Sequence, residues 1–272
     1  MSPNKRLRER VNSIVDERPL SADMPSIKPG LDKQLKRQSM WLKESWIWLL
    51  ENKVLTHEPK LPVRPEALDV GCGAGLVMEV LGELLDIKGV DIDAGMVDEA
   101  RKRGFDVSQA DALDLPYEDS SFDIVYCSFL LLWVRDPVKA VSEMKRVSKT
   151  WVLALAEPDF GARIDYPENL AKLTQLIIQG IREDGGDPTI GRKLRSVFGA
   201  CGLKADIGVH PGVWDLDKLY AEMMDEWRWI DMTVNVGGRK ENLSVLRTAW
   251  IDALKKGSLF QFNPFFYAFA KK

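Results

Sequence analysis

The sequence has few cysteines and no long apolar run, and both absences limit what the protein can be. Its three cysteines among 272 residues are far apart and form no C-x-x-C pair. We therefore expect neither a disulfide framework nor a metal site, and we expect a reducing, cytoplasmic location. The longest apolar stretch, Phe129 to Val134, is far shorter than the roughly 20 residues of a membrane-spanning helix. The charged N-terminus has no apolar segment behind it, so no secretory signal is expected.

The chain also lacks an excess of basic charge. It has 38 basic and 41 acidic residues, which gives a formal net charge of −3. Proteins that bind nucleic acid through many phosphate contacts usually carry a basic excess, so nucleic acid is an unlikely partner by composition. With 45% apolar and 29% charged residues, the chain has the composition of an ordinary globular protein that can bury a large core.

Short apolar segments alternate with helical segments from about residue 65 onward. This alternation predicts an α/β fold with a doubly wound, Rossmann-like sheet of about seven strands. A helical segment precedes the sheet, and a helical insertion precedes its last strand. The predicted organisation is a lead-in or lid over residues 1–60, a core over 61–215 and 258–272, and an insertion, or substrate cap, over 216–257.

The most specific motif is a glycine-rich turn between the first strand and the following helix. Residues 68–75 read Leu-Asp-Val-Gly-Cys-Gly-Ala-Gly, and glycines let the backbone turn tightly and approach a ligand. The dinucleotide-binding pattern needs a small residue where Leu76 stands. An acid at Asp69 suits a ligand with an ammonium group better than a pyrophosphate. The spacing therefore favours S-adenosylmethionine (SAM) over a dinucleotide.

With this motif, the chain resembles the class I SAM-dependent methyltransferases, in particular the small-molecule branch that includes menaquinone and ubiquinone biosynthesis methyltransferases. The likeness covers roughly residues 65–160 and includes Gly-Val-Asp-Ile-Asp at 89–93, Gln-Ala-Asp-Ala at 109–112 and Glu-Pro-Asp at 157–159. It implies an antiparallel last strand, SAM as methyl donor, S-adenosylhomocysteine as product and a small-molecule acceptor.

The resemblance also assigns roles to individual residues. Asp91 would accept the ribose hydroxyls, and Asp111 would accept from the exocyclic amine of the adenine. The full set of predicted cofactor-binding residues is Asp69, Gly71, Cys72, Gly73, Gly75, Asp91, Ile92, Asp111, Ala112 and Ser128.

No catalytic residue is evident from the sequence. Methyl transfer needs a general base only when the acceptor is protonated, and positioning can supply much of the acceleration. Relatives often place a histidine after the fourth strand, where this chain has the apolar run 129–133. Weak candidates for proton transfer are Asp159, Tyr166 and His210, and for each of them a turn or loop role is the favoured interpretation.

The acceptor is only weakly indicated. Tryptophans in the lead-in and the insertion favour a small apolar or aromatic acceptor. One alternative is a protein or RNA acceptor, supported by basic residues between Lys28 and Lys43; another is a SAM-binding protein without enzymatic activity. Residues 31–52 and 216–256 are predicted to close over the cofactor, with the alternative that they complete the core.

Overall fold

The computed structural model describes residues 28–57, 60–236 and 241–272. The chain divides into two compact units. The larger unit consists of Leu35–Asp159, Gly185–Pro211 and Pro264–Lys272. The smaller unit contains Phe160–Asp184 and Gly212–Asn263, with the described residues up to Gln34. Residues 1–27 of the predicted lead-in lie outside the described residues, and the lid and cap roles stay predictions.

The larger unit is built on a mixed sheet. In chain order, the strands of the described residues are β1 Glu66–Val70, β2 Asp86–Asp91, β3 Asp106–Gln109, β4 Phe122–Cys127, β5 Ser148–Pro158, β6 Ile164–Tyr166, β7 Asp206–Val209, β8 Phe260–Phe262 and β9 Phe265–Lys271. Seven of them form one sheet in the order β3-β2-β1-β4-β5-β9-β7. Strands β1 to β5 pair in parallel, and β9 is antiparallel to both β5 and β7. The predicted α/β sheet with an antiparallel last strand is confirmed.

Helices connect these strands. They are α1 Lys28–Leu49, α2 Leu76–Leu81, α3 Ala94–Lys102, α4 Pro137–Val147, α5 Ala171–Glu183, α6 Leu194–Ala200, α7 Leu216–Val234 and α8 Ser244–Lys256. Asp93 and Asp136 begin α3 and α4 by accepting hydrogen bonds from backbone N–H groups of the first turn. The predicted helical insertion is therefore two helices, α7 and α8. Among the described helices, none has both the length and the apolarity to cross a membrane.

Helix α1 packs on the sheet of the larger unit. Its side chains Leu42, Trp46 and Leu49 are buried in one core with Ile124 of β4 and Trp151 of β5. Burial of each large apolar side chain contributes on the order of 1.5–3 kcal/mol. These contacts support the alternative that the described part of the lead-in from residue 35 completes the core.

The smaller unit contains a two-stranded antiparallel sheet, β6 with β8, that the sequence analysis missed. Its inner face is polar and buried: Arg163 makes two bonds with Asp165, at 2.9 and 3.0 Å, and lies 3.6 Å from Glu226 Oε1. Its outer face is apolar and exposed at Tyr166 and Phe260, which pair across the strands. This pattern is the reverse of the usual one for a surface sheet.

Candidate functional site

The glycine-rich turn lies between β1 and α2, at the carboxyl edge of the parallel strands. Gly71, Gly73 and Gly75 have φ values of 74°, 51° and 78°, a region that L side chains rarely adopt. A Cβ atom at Gly71 would also lie 2.7 Å from the side chain of Leu130. The backbone N–H groups of Gly71 and Cys72 both donate to the carbonyl of Val90. Glycine is therefore required in this turn by both conformation and packing.

Asp91, at the end of β2, holds the same turn from the side. Its Oδ2 accepts from the Gly73 N–H at 2.8 Å, and its Oδ1 accepts from the Asp93 N–H at 2.9 Å. Each carboxylate oxygen has a second lone pair, so the side chain can still accept hydrogen bonds from a ligand. Asp91 thus has a structural role that the sequence analysis did not assign.

A pocket of about 400 Å³ opens beside the turn, which is within the usual size range of small-molecule sites. Two carboxylates, one arginine and a group of apolar side chains surround it. The structure brings together five predicted residues in its lining: Gly71, Asp91, Ile92, Asp111 and Ala112. The side chain of Asp111 accepts from the Leu113 N–H at 2.9 Å. The remaining lining residues were not predicted from the sequence; they are Val90, Ala110, Leu113, Leu130, Trp133, Val134 and Arg135.

Four of these missed residues, Leu130, Trp133, Val134 and Arg135, follow β4. They fall in and just beyond the apolar run where relatives often place a histidine. An apolar run after a strand has the composition of a buried core segment, so the sequence did not indicate that these residues line a pocket. In the structure, however, Trp133 is 48% exposed and lines the pocket.

The other predicted cofactor-binding residues lie outside the pocket lining: Cys72, Gly73 and Gly75 within the turn, Asp69 in β1 and Ser128 after β4. Asp69 is buried, and its Oδ2 has no hydrogen-bond partner among the described residues. Burial, and to a smaller extent the charge of Asp91, raises the pKa of Asp69 to about 8, while Tyr126 on β4 opposes the rise. Ser128 Oγ is also buried without a partner in the described structure. Burial raises the pKa of the Cys72 thiol far above its usual value.

None of the three weak catalytic candidates lines this pocket. Asp159 is buried and forms a two-bond ion pair with Arg192, in which Nη2 lies 2.8 Å from Oδ1. His210 is buried with Nε2 2.7 Å from the carbonyl of Leu155, and burial lowers its pKa. Tyr166 lies in β6 of the smaller unit and is 53% exposed. Both carboxylate oxygens of Asp159 are thus engaged in an ion pair, and the Nε2–H of His210 is held by a main-chain carbonyl.

Comparison with known sequences identifies the central part of the chain. A family model described as methyltransferase domain matches residues 68–151. Demethylmenaquinone methyltransferase of Renibacterium salmoninarum is 37% identical over 118 residues, which cover 40% of this chain and 50% of that protein. The chain thus spans about half the length of this curated relative. Residues 68–151 therefore match a methyltransferase domain, and the predicted resemblance is confirmed.

Solved structures show the same fold over more of the chain. The YcgJ protein of Bacillus subtilis has a TM-score of 0.54 at 19% identity and covers 84% of this chain and 98% of its own. Geranyl diphosphate methyltransferase in complex with SAM has a TM-score of 0.50 at 15% identity and covers 91% of this chain and 92% of its own. At such low identities the likeness establishes the fold alone, the Rossmann-like methyltransferase fold.

Proposed function

We propose that the protein is a SAM-dependent methyltransferase that acts on a small apolar or aromatic acceptor. The observation that carries the proposal is the braced glycine turn: Gly71, Gly73 and Gly75 at positive φ, held by Asp91 and opening onto a pocket with two carboxylates. The matched domain, residues 68–151, contains this turn and every lining residue of the pocket.

The residues present fit SAM. Asp69, two residues before the first glycine of the turn, has a buried oxygen without a partner in the described structure. Asp91 would hold the ribose hydroxyls, and Asp111 would hold the adenine amine. Ile92 and Trp133, both exposed in the pocket lining, offer apolar surface to a planar base. When bound, SAM supplies an activated methyl group on a sulfonium.

The protein's own contribution would be to bind, orient and exclude water. Neither of its two histidines lines the pocket: His57 is exposed, and His210 donates to the main chain. This arrangement suits an acceptor that requires little help with proton removal, so positioning would supply most of the acceleration. Asp91 and Asp111 would favour a cationic donor over its neutral product, an effect that Arg135 in the same lining would partly offset.

Several observations support the acceptor class. The Renibacterium relative is a demethylmenaquinone methyltransferase. The smaller unit, which contains most of the predicted cap, exposes Tyr166 and Phe260 on the outer face of its sheet. By contrast, Arg37, one of the basic residues that favoured a protein or RNA acceptor, is buried with its guanidinium 4.6 Å from the ring centre of Trp41.

Calorimetry with SAM, S-adenosylhomocysteine and NAD tests the cofactor. We expect binding of the first two and none of NAD; binding of NAD alone would refute the proposal. A methyl-transfer assay on a panel of quinols, phenols, peptides and RNA then tests the acceptor. Transfer to peptides or RNA would favour the first alternative, and SAM binding without any turnover would favour a non-enzymatic binding protein.

A further inference from the structure

Glu157, near the end of β5, is a buried carboxyl group that the proposed function has not used. Its Oε1 accepts from the N–H groups of Leu130 and Leu131 at 3.0 and 2.9 Å, and its Oε2 accepts from the N–H of Leu132 at 3.3 Å. One side chain therefore satisfies three consecutive backbone donors. Such donors would otherwise be buried without partners, which is unfavourable.

The backbone that Glu157 holds has an uncommon conformation. Phe129, immediately before these donors, has a φ of 54°, although it is not a glycine. Its N–H donates to the carbonyl of Ala156 at 2.7 Å, and the carbonyl of Leu132 accepts from the N–H of Asp187 at 2.7 Å. A residue in this region of φ persists only where its surroundings fix it. The segment 128–135 is therefore held from several sides, and Glu157 makes the largest set of contacts among them.

The same segment forms one wall of the pocket. Leu130, Trp133, Val134 and Arg135 line it, and the side chain of Leu130 fills the space that a Cβ atom at Gly71 would need. A shift of the backbone at residues 130–132 would therefore move the wall and the contact with the glycine turn together. Glu157 itself does not line the pocket.

We propose that Glu157 is a positioning residue of the cofactor pocket: through the N–H groups of Leu130, Leu131 and Leu132 it sets the wall against which the cofactor packs. This inference rests on the proposed function, because it takes the pocket to be the SAM site. It assigns Glu157 no contact with the cofactor and no step in the reaction.

The protonation state of Glu157 should modulate this role. Burial raises its pKa to about 8, and the three N–H donors oppose the rise. The carboxylate can accept all three hydrogen bonds, whereas the acid carries a proton on one oxygen and accepts fewer. The wall should therefore be held more firmly as pH rises through about 8.

Other titratable groups lie around Glu157. The Cys127 thiol on β4 lies 4.0 Å from Oε1, and burial raises its pKa well above the usual value, so it stays neutral. Asp159, two residues along, is paired with Arg192, and His210 donates to Leu155. Asp69 on β1 titrates in the same range, and it is present in every protein compared below.

The experiment measures S-adenosylhomocysteine affinity by calorimetry for the full chain and for Glu157→Ala, Glu157→Gln and Glu143→Gln. Glu143 is a matched control, since it is a buried carboxyl that also accepts a backbone N–H, from Leu115, but does not line the pocket. We expect Glu157→Ala to weaken binding about tenfold or more, because three buried N–H donors lose their acceptor. Glu143→Gln should leave affinity within about twofold, whatever it does to stability.

Two further measurements follow: a pH profile of binding, which a merely structural role would not move, and hydrogen exchange, which reports on the pocket wall itself. Glutamine resembles the protonated acid. Glu157→Gln should therefore bind S-adenosylhomocysteine like the wild type near pH 6.5, and progressively more weakly than the wild type as pH rises toward about 9. Hydrogen exchange without ligand should show faster exchange of the amides of Leu130, Leu131 and Leu132 in Glu157→Ala. If that variant does not fold, the pH profile of Glu157→Gln decides the question.

The outcomes separate the two proposals. Failure of the wild type to bind S-adenosylhomocysteine counts against the proposed function. Wild-type binding together with parallel pH profiles for the wild type and Glu157→Gln, or with unchanged affinity in a folded Glu157→Ala, overturns the role of Glu157 alone.

Discussion

The Oδ2 atom of Asp91 accepts a hydrogen bond from the N–H of Gly73 at 2.8 Å. The acid at the end of β2 therefore shapes the glycine turn that follows β1, and in the proposed function it would also bind the ribose. These two roles explain why a single carboxylate at this position would have a large effect on the site.

Replacement of Asp91 by alanine should weaken S-adenosylhomocysteine binding by on the order of 1–3 kcal/mol. Hydrogen bonds to a charged group are lost, and the glycine turn loses the acceptor of one of its N–H groups. Calorimetry measures the change. Asp86→Asn is the control, since Asp86 is an exposed acid at the opposite end of the same strand. Equal affinities for all three proteins would contradict the role given to Asp91.

A methyl group at Gly71 should damage the pocket more than a methyl group at another left-handed glycine. Gly71→Ala and Gly104→Ala both place alanine at positive φ, which costs about 1–2 kcal/mol of stability. At Gly71 the new Cβ atom also meets Leu130 at 2.7 Å, whereas Gly104 has open space around it. We expect both variants to lower the melting temperature and only Gly71→Ala to lose S-adenosylhomocysteine binding. Unimpaired binding by Gly71→Ala would be the contrary result.

Stability should fall as pH rises from about 4 to about 8. The pKa of Asp69 is raised from 3.8 to about 8 in the folded protein, so across this window the unfolded chain releases a proton that the folded chain retains. The contribution of Asp69 to the free energy of unfolding is complete below about pH 4 and is lost as pH approaches about 8. Its magnitude is a few kcal/mol for a fully buried group. Urea unfolding at several pH values should therefore show a smaller decline in Asp69→Asn than in the wild type. Superimposable declines would show that Asp69 does not titrate in this range.

The buried ion cluster of the smaller unit gives a prediction about non-additivity. Arg163→Met should destabilise the protein by about 3–5 kcal/mol, because Asp165 and Glu226 lose the cation that compensates their buried charges. The double variant Arg163→Met/Asp165→Leu should lose less stability than Arg163→Met alone, since one of the two uncompensated carboxylates is also removed. Thermal unfolding of the wild type, both single variants and the double variant checks this order, and a loss equal to the sum of the Arg163→Met and Asp165→Leu losses would contradict this account.

The parts of the site that were predictable from sequence depend on short spacings. The glycine turn and Asp91 follow the ends of β1 and β2, and parallel strands bring such positions to one edge of a sheet. The pairing of β1 to β5 follows from the regular alternation of strand and helix. Both inferences need only local pattern and the handedness of the connections.

The features that were missed depend on contacts between distant parts of the chain. The bonds from Glu157 to Leu130 and Leu131 cross about 26–27 positions, and no local pattern links a carboxyl group to those apolar residues. His210 looked available in sequence, yet it donates to Leu155, 55 positions away. Strands β6 and β8 have three residues each, with apolar side chains on the exposed face, so they lack the length and the pattern by which a surface strand is recognised.

The smaller unit is assembled from separate stretches of chain, and this has a consequence for engineering. Phe160–Asp184 supplies α5 and β6, and Gly212–Asn263 supplies α7, α8 and β8. A chimaera that exchanged only the later stretch would separate β8 from its pairing partner β6 and the residues of α7 from those of α5. Transfer of this unit between related proteins should therefore succeed only when both stretches come from the same parent.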